Sequence, residues 1–157
     1  MRVGIGFDAH RLVEGKKLIL GGIEVPFEKG LLGHSDADVL LHAISDAVLG
    51  AISADDIGVH FPDSDASLKG IDSAVILARC AALAREKGYR ITSVDSVLVA
   101  EKPKISPFRS AMKEKIARIL GIEPEVVGIK GKTTEGLGFT GRGEGIAAHA
   151  VVLVEKL

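Results

Sequence analysis

Two histidines and an aspartate in this chain are residue types that bind metal ions. Asp8 and His10 lie two positions apart at the end of a predicted strand, and His42 lies in a predicted helix. Side chains alternate along a strand, so Asp8 and His10 point to one side and could grip one ion. One carboxylate and two imidazoles match a zinc site whose fourth position is open to a substrate oxygen. The alternative is that His42 is a polar residue on a helix face and Asp8 a turn former.

Two further carboxylates flank His42 on the same predicted helical stripe. Asp38 and Asp46 lie four residues before and after it. At this spacing one of them could accept the free imidazole N–H of His42 and so orient the ring. Ordinary solvent exposure of both carboxylates is the alternative.

His34 and Ser35 stand at the predicted N-terminus of this helix. Free backbone amides and the positive end of the helix dipole favour an anion such as phosphate at that point. Ser35 also fits a plain capping role, which is compatible with anion binding.

A glycine-rich segment from Gly131 to Gly145 concentrates hydroxyls, exposed amides, basic groups and carboxylates. This composition predicts a phosphate cradle with a hard cation, because Mg²⁺ takes few protein carboxylates plus phosphate oxygens. Glu135 is the natural magnesium ligand in the segment. The pattern lacks the lysine spacing of a nucleotide-hydrolysing P-loop. A flexible hairpin is the alternative interpretation.

The hydropathy pattern predicts the elements that position these groups. We expect a helix that begins at a capping box over Ser35 to Asp38 and ends at Gly50, and a functional loop from Asp55 to Gly70. The other expected elements are a strand over 2–9, a hairpin over 17–27 that turns at Gly21-Gly22, a helix over 72–87 closed by Gly88, a strand over 90–100, a helix capped by Ser106 that ends at Gly121, and strands over 126–133 and 146–155.

This order of elements predicts an α+β fold with a mixed four-stranded sheet, helices packed on one face and a small hairpin. At 157 residues we expect a single domain, residues 1–157. The last strand is almost wholly apolar, which predicts burial on both sides. In so small a domain, the second cover is expected to be another subunit.

Composition narrows the classes of partner. The formal net charge is −1, with 20 basic and 21 acidic residues mixed along the chain, which argues against nucleic-acid binding or a polybasic membrane anchor. The apolar runs are too short to span a bilayer. Met1 leads directly into a predicted strand, and Cys80 is expected to be a buried structural thiol. Together these features predict a cytoplasmic protein.

Six motifs, taken in order, resemble the cyclodiphosphate synthases of the non-mevalonate isoprenoid pathway. They are Gly-Phe-Asp-Ala-His at 6–10, Gly-His-Ser-Asp-Ala-Asp at 33–38, Leu-His-Ala at 41–43, Asp-Ile-Gly at 56–58, Phe-Pro-Asp-Ser-Asp at 61–65 and Gly-Phe-Thr-Gly-Arg-Gly-Glu-Gly-Ile at 138–146. The resemblance runs essentially end to end. It implies a homotrimer with sites between subunits, one Zn²⁺ per subunit, and Mg²⁺ or Mn²⁺ bound with a cytidine diphosphate substrate, 4-diphosphocytidyl-2-C-methyl-D-erythritol 2-phosphate.

By matching motif, the resemblance implies that Asp8, His10 and His42 bind zinc and that Glu135 binds the second metal. His34 and Thr133 would donate hydrogen bonds to the charge that develops during phosphoryl transfer. The residues implied to contact the substrate are Asp8, Ala9, His10, His34, Ser35, Asp56, Ile57, Gly58, Phe61, Pro62, Asp63, Ser64, Asp65, Ala100, Glu101, Lys102, Pro103, Lys104, Ile105, Ser106, Lys132, Thr133, Thr134, Glu135, Phe139 and Arg142.

The implied reaction closes a cyclic diphosphate and expels CMP, and it depends on positioning and charge neutralisation rather than on a protein nucleophile. A zinc-dependent phosphohydrolase is the enzymatic alternative, because the same three ligands could activate water. A trimeric binding protein with a structural zinc is the alternative of another class. His60 and His149 are expected to serve core or interface packing.

Overall fold

The computed structural model describes residues 1–157 and shows an α+β fold built on a mixed sheet. The sheet has five strands, so the prediction of four is wrong. In chain order the strands are β1 (Arg2–Glu14), β2 (Leu18–Leu20), β3 (Ile23–Val25), β4 (Lys29–Leu31), β5 (Tyr89–Val99), β6 (Val127–Lys132) and β7 (Gly145–Lys156). The five-stranded sheet has the order β4-β1-β7-β5-β6, and β5–β6 is its parallel pair.

The strands β2 and β3 form the predicted small hairpin as a separate two-stranded sheet. Its turn residues Gly21 and Gly22 both have positive φ, 61° and 75°, as the glycine pair indicated. The strand missing from the prediction is β4, which pairs with the far end of β1 between Leu12 and Glu14. It was missed because β4 is only three residues long and β1 extends well beyond position 9.

The helices are α1 (Val39–Ala51), α2 (Ile57–His60), α3 (Ser73–Glu86), α4 (Arg109–Leu120) and α5 (Gly138–Gly141). The prediction that α1 begins at Ser35 is wrong. Ala37 has a φ of 57°, which no α-helix accommodates, and the side chain of Asp38 accepts the N–H of Leu41 as the true N-cap. The shift leaves Ser35 outside the helix and places His42 in its first turn.

Three other predicted boundaries change. The segment 55–70 is not wholly irregular, because it contains α2 and a single 3₁₀ turn at Ala66–Leu68. Ser106 does not cap a helix; it begins a 3₁₀ turn, Ser106–Phe108, that leads into α4. The glycine-rich segment contains α5. Gly88 has a positive φ of 82° at the end of α3, as predicted for a left-handed cap, and Gly121, where the next helix was predicted to end, has a φ of 70° at the end of α4.

Helix α1 packs unusually close to β1 because two glycines of that strand face it. A Cβ atom on Gly6 would lie 1.9 Å from the carbonyl oxygen of Ala43, and one on Gly4 would lie 1.9 Å from that of Ala47. The absence of both side chains lets the helix rest directly on the strand backbone. This close approach fixes the distance between Asp8 on the strand and His42 on the helix.

The opposite face of the sheet is apolar and exposed. Its large side chains are Val3, Ile5, Phe7 and Val151, which are 64%, 72%, 53% and 42% exposed. Strand β7 is therefore buried on its helix side from Ala148 onward and open on the other side in the single chain. Among the helices, none is both long and apolar enough to cross a membrane.

Candidate active site

Strand β1 and helix α1 bring three metal-binding side chains to one point. The Oδ2 atom of Asp8 lies 2.9 Å from Nε2 of His10 and 3.0 Å from Nδ1 of His42, and the two nitrogens are 3.2 Å apart. Zinc–nitrogen bonds of about 2.0–2.1 Å in a tetrahedral site place neighbouring ligand atoms about 3.3 Å apart. The three atoms are therefore spaced for one cation, with a fourth position left open.

The orientation of His10 also fits a cation. Its Nδ1 atom lies 2.9 Å from the carbonyl oxygen of Leu32, which can only accept, so Nδ1 carries a hydrogen and donates it. The lone pair of Nε2 in the neutral ring then faces Asp8. The ring fits because residue 33 is glycine: a Cβ there would lie 3.2 Å from Cε1 of His10.

Asp8 and His10 shift each other's pKa values. Burial alone would raise the pKa of Asp8, but the imidazoles of His10 and His42 beside it stabilise the ionised carboxylate, outweigh burial and lower the pKa to about 2. Burial alone would lower the pKa of His10, but its hydrogen bond to Asp8 and the negative charge there raise it. A proton on His10 and a cation among the three ligands therefore compete for the same negative site.

The predicted carboxylate partners of His42 are elsewhere. The carboxylate of Asp38 accepts backbone N–H groups of Gly21 and Gly22, at 3.0 and 2.7 Å, and that of Asp46 accepts the N–H of Ile57 at 2.8 Å. Neither carboxylate contacts the imidazole, so the suggested role as its partner is wrong, and the alternative of solvent exposure is wrong for Asp38, which is fully buried. Asp38 instead ties the β2–β3 turn to α1, and Asp46 ties the start of α2 to α1.

A cavity of about 280 Å³ opens beside the three ligands. Much of its wall comes from the segment between α1 and α3, and His34 faces it with Nε2 at 3.4 Å from the carbonyl oxygen of Asp65. The predicted site residues that line it are Asp8, His10, His34, Ser35, His42, Ile57, Gly58, Phe61 and Asp63. Ala9, Asp56, Pro62, Ser64 and Asp65 are near it in sequence but do not line it.

Most of the remaining predicted site residues surround a second cavity of about 190 Å³. Those that line it are Ala100, Glu101, Pro103, Lys104, Ile105, Ser106, Lys132 and Thr133. Three basic side chains, Lys104, Arg109 and Lys132, line this cavity, and Oε1 of Glu101 accepts the N–H groups of Thr134 and Gly136, each at 3.2 Å. Glu101 therefore shapes the glycine-rich loop. Lys102, Thr134 and Glu135 do not line the cavity.

The last predicted residues lie along the glycine-rich loop. Glu135 is exposed with a φ of 53°, and it is not part of the group formed by the three zinc-ligand candidates. Phe139 borders a third cavity, of about 210 Å³, beside His10, and the guanidinium of Arg142 donates to the carboxylate of Glu144 at 2.9 Å. In the single chain, the predicted site residues therefore lie in separate groups and not around one cavity.

The two unassigned histidines are both exposed. The His149 ring packs on Phe7 with centroids 4.8 Å apart, on the open face of the sheet. His60 ends α2 and is exposed, so core packing is not its role in the single chain. Cys80 is buried, as predicted.

Some contributors had no signal in the sequence. Leu68, Ile71 and Ile76 form the apolar wall of the first cavity, and Arg109 lines the second. Ser73, the first residue of α3, contacts His42 although it is 31 positions away. A further cavity of about 440 Å³ at the other end of the sheet is lined by Arg85, Arg90 and Glu155 among others, and holds no group of the predicted site.

Comparison with known proteins identifies the family. A model described as the YgbB family matches residues 1–155. The chain belongs to this family. YgbB-type relatives include the 2-C-methyl-D-erythritol 2,4-cyclodiphosphate synthase of Geobacillus kaustophilus, 60% identical over 155 residues, covering 99% of this chain and 98% of the relative. The synthase of Caldicellulosiruptor bescii is 62% identical over 153 residues, covering 98% of each.

Solved structures of YgbB-type proteins share the fold. The bifunctional IspDF of Campylobacter jejuni superposes with a TM-score of 0.96 at 37% identity, covering 99% of this chain and 42% of that one. A 2C-methyl-D-erythritol-2,4-cyclodiphosphate synthase in a CDP-bound form gives 0.91 at 37% identity, covering 98% and 100%. The CDP complex of IspF from Plasmodium falciparum gives 0.87 at 35% identity, covering 99% and 96%.

Proposed function

We propose that this protein converts 4-diphosphocytidyl-2-C-methyl-D-erythritol 2-phosphate to 2-C-methyl-D-erythritol 2,4-cyclodiphosphate and CMP. It is a phosphorus–oxygen lyase of isoprenoid precursor biosynthesis. The observation that carries the proposal is the convergence of Asp8, His10 and His42 beside a cavity, in a chain aligned end to end with synthases of this name. A single domain and a cytoplasmic location stay predictions.

Asp8, His10 and His42 are proposed to hold one Zn²⁺ per subunit, which, when bound, polarises phosphoryl oxygens as a Lewis acid. Their spacing and the orientation of His10 support this assignment. Glu135 is proposed to bind Mg²⁺ or Mn²⁺ together with the substrate diphosphate. Its exposed carboxylate is free of the ion pairs found elsewhere in the chain and suits a hard cation that keeps most of its oxygen ligands from phosphate and water.

The protein's own groups are proposed to act by positioning and by hydrogen bonding. His34 and Ser35 face the first cavity and would donate to the 2-phosphate, while Thr133 at the second cavity would donate to the diphosphate. Lys104 and Lys132 would offset the negative charge there. Holding the 2-phosphate in line with the β-phosphorus is the main task, so no phosphorylated residue forms.

The division of the site into two cavities supports a homotrimer with sites between subunits. Asp8 of β1 and Leu98 of β5 both pair with Ala148 of β7, which lies between these two strands. The two cavities are therefore on strands of one sheet that are separated by a single strand. A neighbouring subunit would complete each half. The apolar face formed by Val3, Ile5, Phe7 and Val151 is a surface that other copies of the chain would cover.

The remaining predicted residues are assigned by the same proposal. Those that line the first cavity would hold the methylerythritol part, and those around the second would hold cytidine and its diphosphate. Phe139 and Arg142, which lie beside His10 and Glu144 respectively, would close the site or reach the trimer axis. The CDP-bound relatives support a cytidine nucleotide as ligand.

Phosphorus NMR tests the function directly. The purified protein is mixed with the substrate, Zn²⁺ and Mg²⁺, and a parallel sample contains a chelator. We expect the cyclic diphosphate together with CMP, abolished by the chelator. Asp8→Ala should abolish turnover, while the matched change Glu86→Ala, at the exposed end of α3, should not. Linear hydrolysis products would favour the phosphohydrolase, and no reaction by a metal-loaded trimer would favour a binding protein.

A further inference from the structure

A buried serine outside the predicted site is linked to a carboxylate. Ser73 is the first residue of α3 and is fully buried. Its hydroxyl donates a short hydrogen bond to Oδ1 of Asp36, and its backbone N–H donates to Oδ2 of the same carboxylate at 3.1 Å. A carboxylate is the strongest acceptor available here, so the hydroxyl hydrogen of Ser73 is committed to Asp36.

The same serine contacts the metal-ligand candidate His42. Oγ of Ser73 lies 2.9 Å from Nε2 of His42, the ring nitrogen that faces away from Asp8. Because the hydroxyl hydrogen of Ser73 points to Asp36, its oxygen can only accept from the imidazole. Nε2 of His42 must therefore carry the hydrogen, and the lone pair of Nδ1 is turned toward Asp8 and His10.

We propose that Asp36 and Ser73 together form a positioning pair that holds His42 in the Nε2–H tautomer, ready to bind a cation through Nδ1. This inference rests on the proposed metal site. Without the pair, a neutral His42 would favour the opposite tautomer, because Nδ1–H could donate to the Asp8 carboxylate at 3.0 Å. Contact with Asp8 alone would therefore favour the Nδ1–H tautomer, in which Nδ1 has no lone pair to bind the ion.

The pair also determines what Ser35 can do. Oγ of Ser35 lies 3.0 Å from Nε2 of His42 and accepts the N–H of Ala37 at 3.1 Å. Both serine oxygens lie within hydrogen-bond distance of Nε2, but only the hydroxyl of Ser73 donates its hydrogen to a carboxylate. With Nε2–H directed at Ser73, the Ser35 hydroxyl is free to donate into the cavity that it lines. Ser73 thus orients the His42 ring and leaves the Ser35 hydroxyl available to bind substrate.

The test is Ser73→Ala compared with Ser45→Ala. Ser45 is also fully buried and lies on the helix that carries His42, and its hydroxyl donates to the carbonyl oxygen of Leu41 at 2.7 Å. Competition with a chromogenic chelator measures zinc affinity. Loss of a group that orients a metal-binding histidine weakens metal binding by about 10- to 100-fold, and we expect this for Ser73→Ala and a change within about twofold for Ser45→Ala. Equal affinities of the two variants, or an equal loss in both, would overturn the proposal.

A second measurement includes the wild type alone, where the result does not depend on how the variants fold. Nitrogen-15 NMR of the metal-free wild type reports which ring nitrogen of His42 carries the hydrogen. We expect Nε2–H in the wild type and a gain of Nδ1–H in Ser73→Ala. An Nδ1–H wild type would refute the proposal outright.

These readouts separate the positioning pair from the proposed reaction. Neither the zinc affinity nor the tautomer requires turnover. A protein that shows both expected results but yields no cyclic diphosphate would disprove the proposed function and leave the positioning role intact. If the Ser73→Ala variant turned over normally and its zinc affinity were unchanged, the positioning role would be disproved and the proposed function would stand.

Discussion

The close contact between α1 and β1 yields a quantitative prediction for Gly6→Ala. The added Cβ would lie 1.9 Å from the carbonyl oxygen of Ala43, whereas ordinary contacts begin at 3.4 Å. Helix and strand must therefore separate by about 1.5 Å, the difference between these two distances. Because the obstacle is backbone, no side chain can rotate away, and we expect a loss of about 3 kcal/mol in the free energy of unfolding.

The same separation reaches the metal ligands, since Asp8 is on the strand and His42 on the helix. Metal–ligand distances tolerate deviations of only about 0.2 Å. The separation of α1 from β1 should therefore weaken zinc binding by at least about tenfold. Urea unfolding measures the stability, and chelator competition measures the affinity. Both losses should appear together in Gly6→Ala.

Gly50→Ala is the matched control. It adds the same methyl group to α1, but the nearest neighbour of its Cβ would be the carbonyl oxygen of Ile5 at 3.6 Å, an ordinary contact. We expect unchanged zinc affinity and a stability equal to or up to about 1 kcal/mol above wild type, because alanine favours a helix over glycine. If Gly6→Ala matched this control in stability and affinity, the idea that glycine sets the strand–helix distance would be refuted.

Four further outcomes are expected. Asp38→Ala should lower the free energy of unfolding by about 3 kcal/mol in urea, because it leaves buried backbone donors unpaired, and a loss below about 0.5 kcal/mol would contradict this. Burial raises the pKa of Cys80 to about 12, so Ellman's reagent should label the thiol only after unfolding, and rapid labelling of the native protein would count against burial. Glu101→Ala should weaken CDP binding by about tenfold in calorimetry, equivalent to about 1.4 kcal/mol. Glu101→Gln keeps the oxygen acceptor for Thr134, so its affinity should stay within about twofold of wild type. Equal losses in the two variants would show that the charge of Glu101, and not its anchoring of the loop, supports binding. Zinc affinity should fall as pH decreases through the raised pKa of His10, because the proton displaces the ion, and a pH-independent affinity would exclude competition at that nitrogen.

The convergence of Asp8, His10 and His42 could be predicted from the sequence because it depends on local or periodic geometry. Alternation along β1 places Asp8 and His10 on one side, and the helical pattern around His42 survives an error in the helix start. The start itself was wrong because the capping-box pattern favoured Ser35, whereas Ala37 adopts a positive φ. Such a conformation at alanine is uncommon, so no residue preference indicated it.

Contacts between distant segments were beyond the reach of pattern reasoning. The second partner of His42 is Ser73, from another helix, whereas helical spacing favoured Asp38 and Asp46. The role of Glu101 as the acceptor for a loop more than 30 residues later has the same origin. In both cases a common polar residue gains its role only from the way in which the chain folds back.

The strand order has a consequence for how the chain folds during its synthesis. β7 is the last element in chain order, yet it lies at the centre of the sheet between β1 and β5. During synthesis on the ribosome, the segment that bears Asp8 and His10 emerges first and must wait for its neighbouring strand until almost all the other residues have been made. Long-range pairing of this kind is slow and leaves strand edges open meanwhile. The nascent chain should therefore be most vulnerable to aggregation just before β7 emerges, and removal of that strand should prevent the sheet from forming at all.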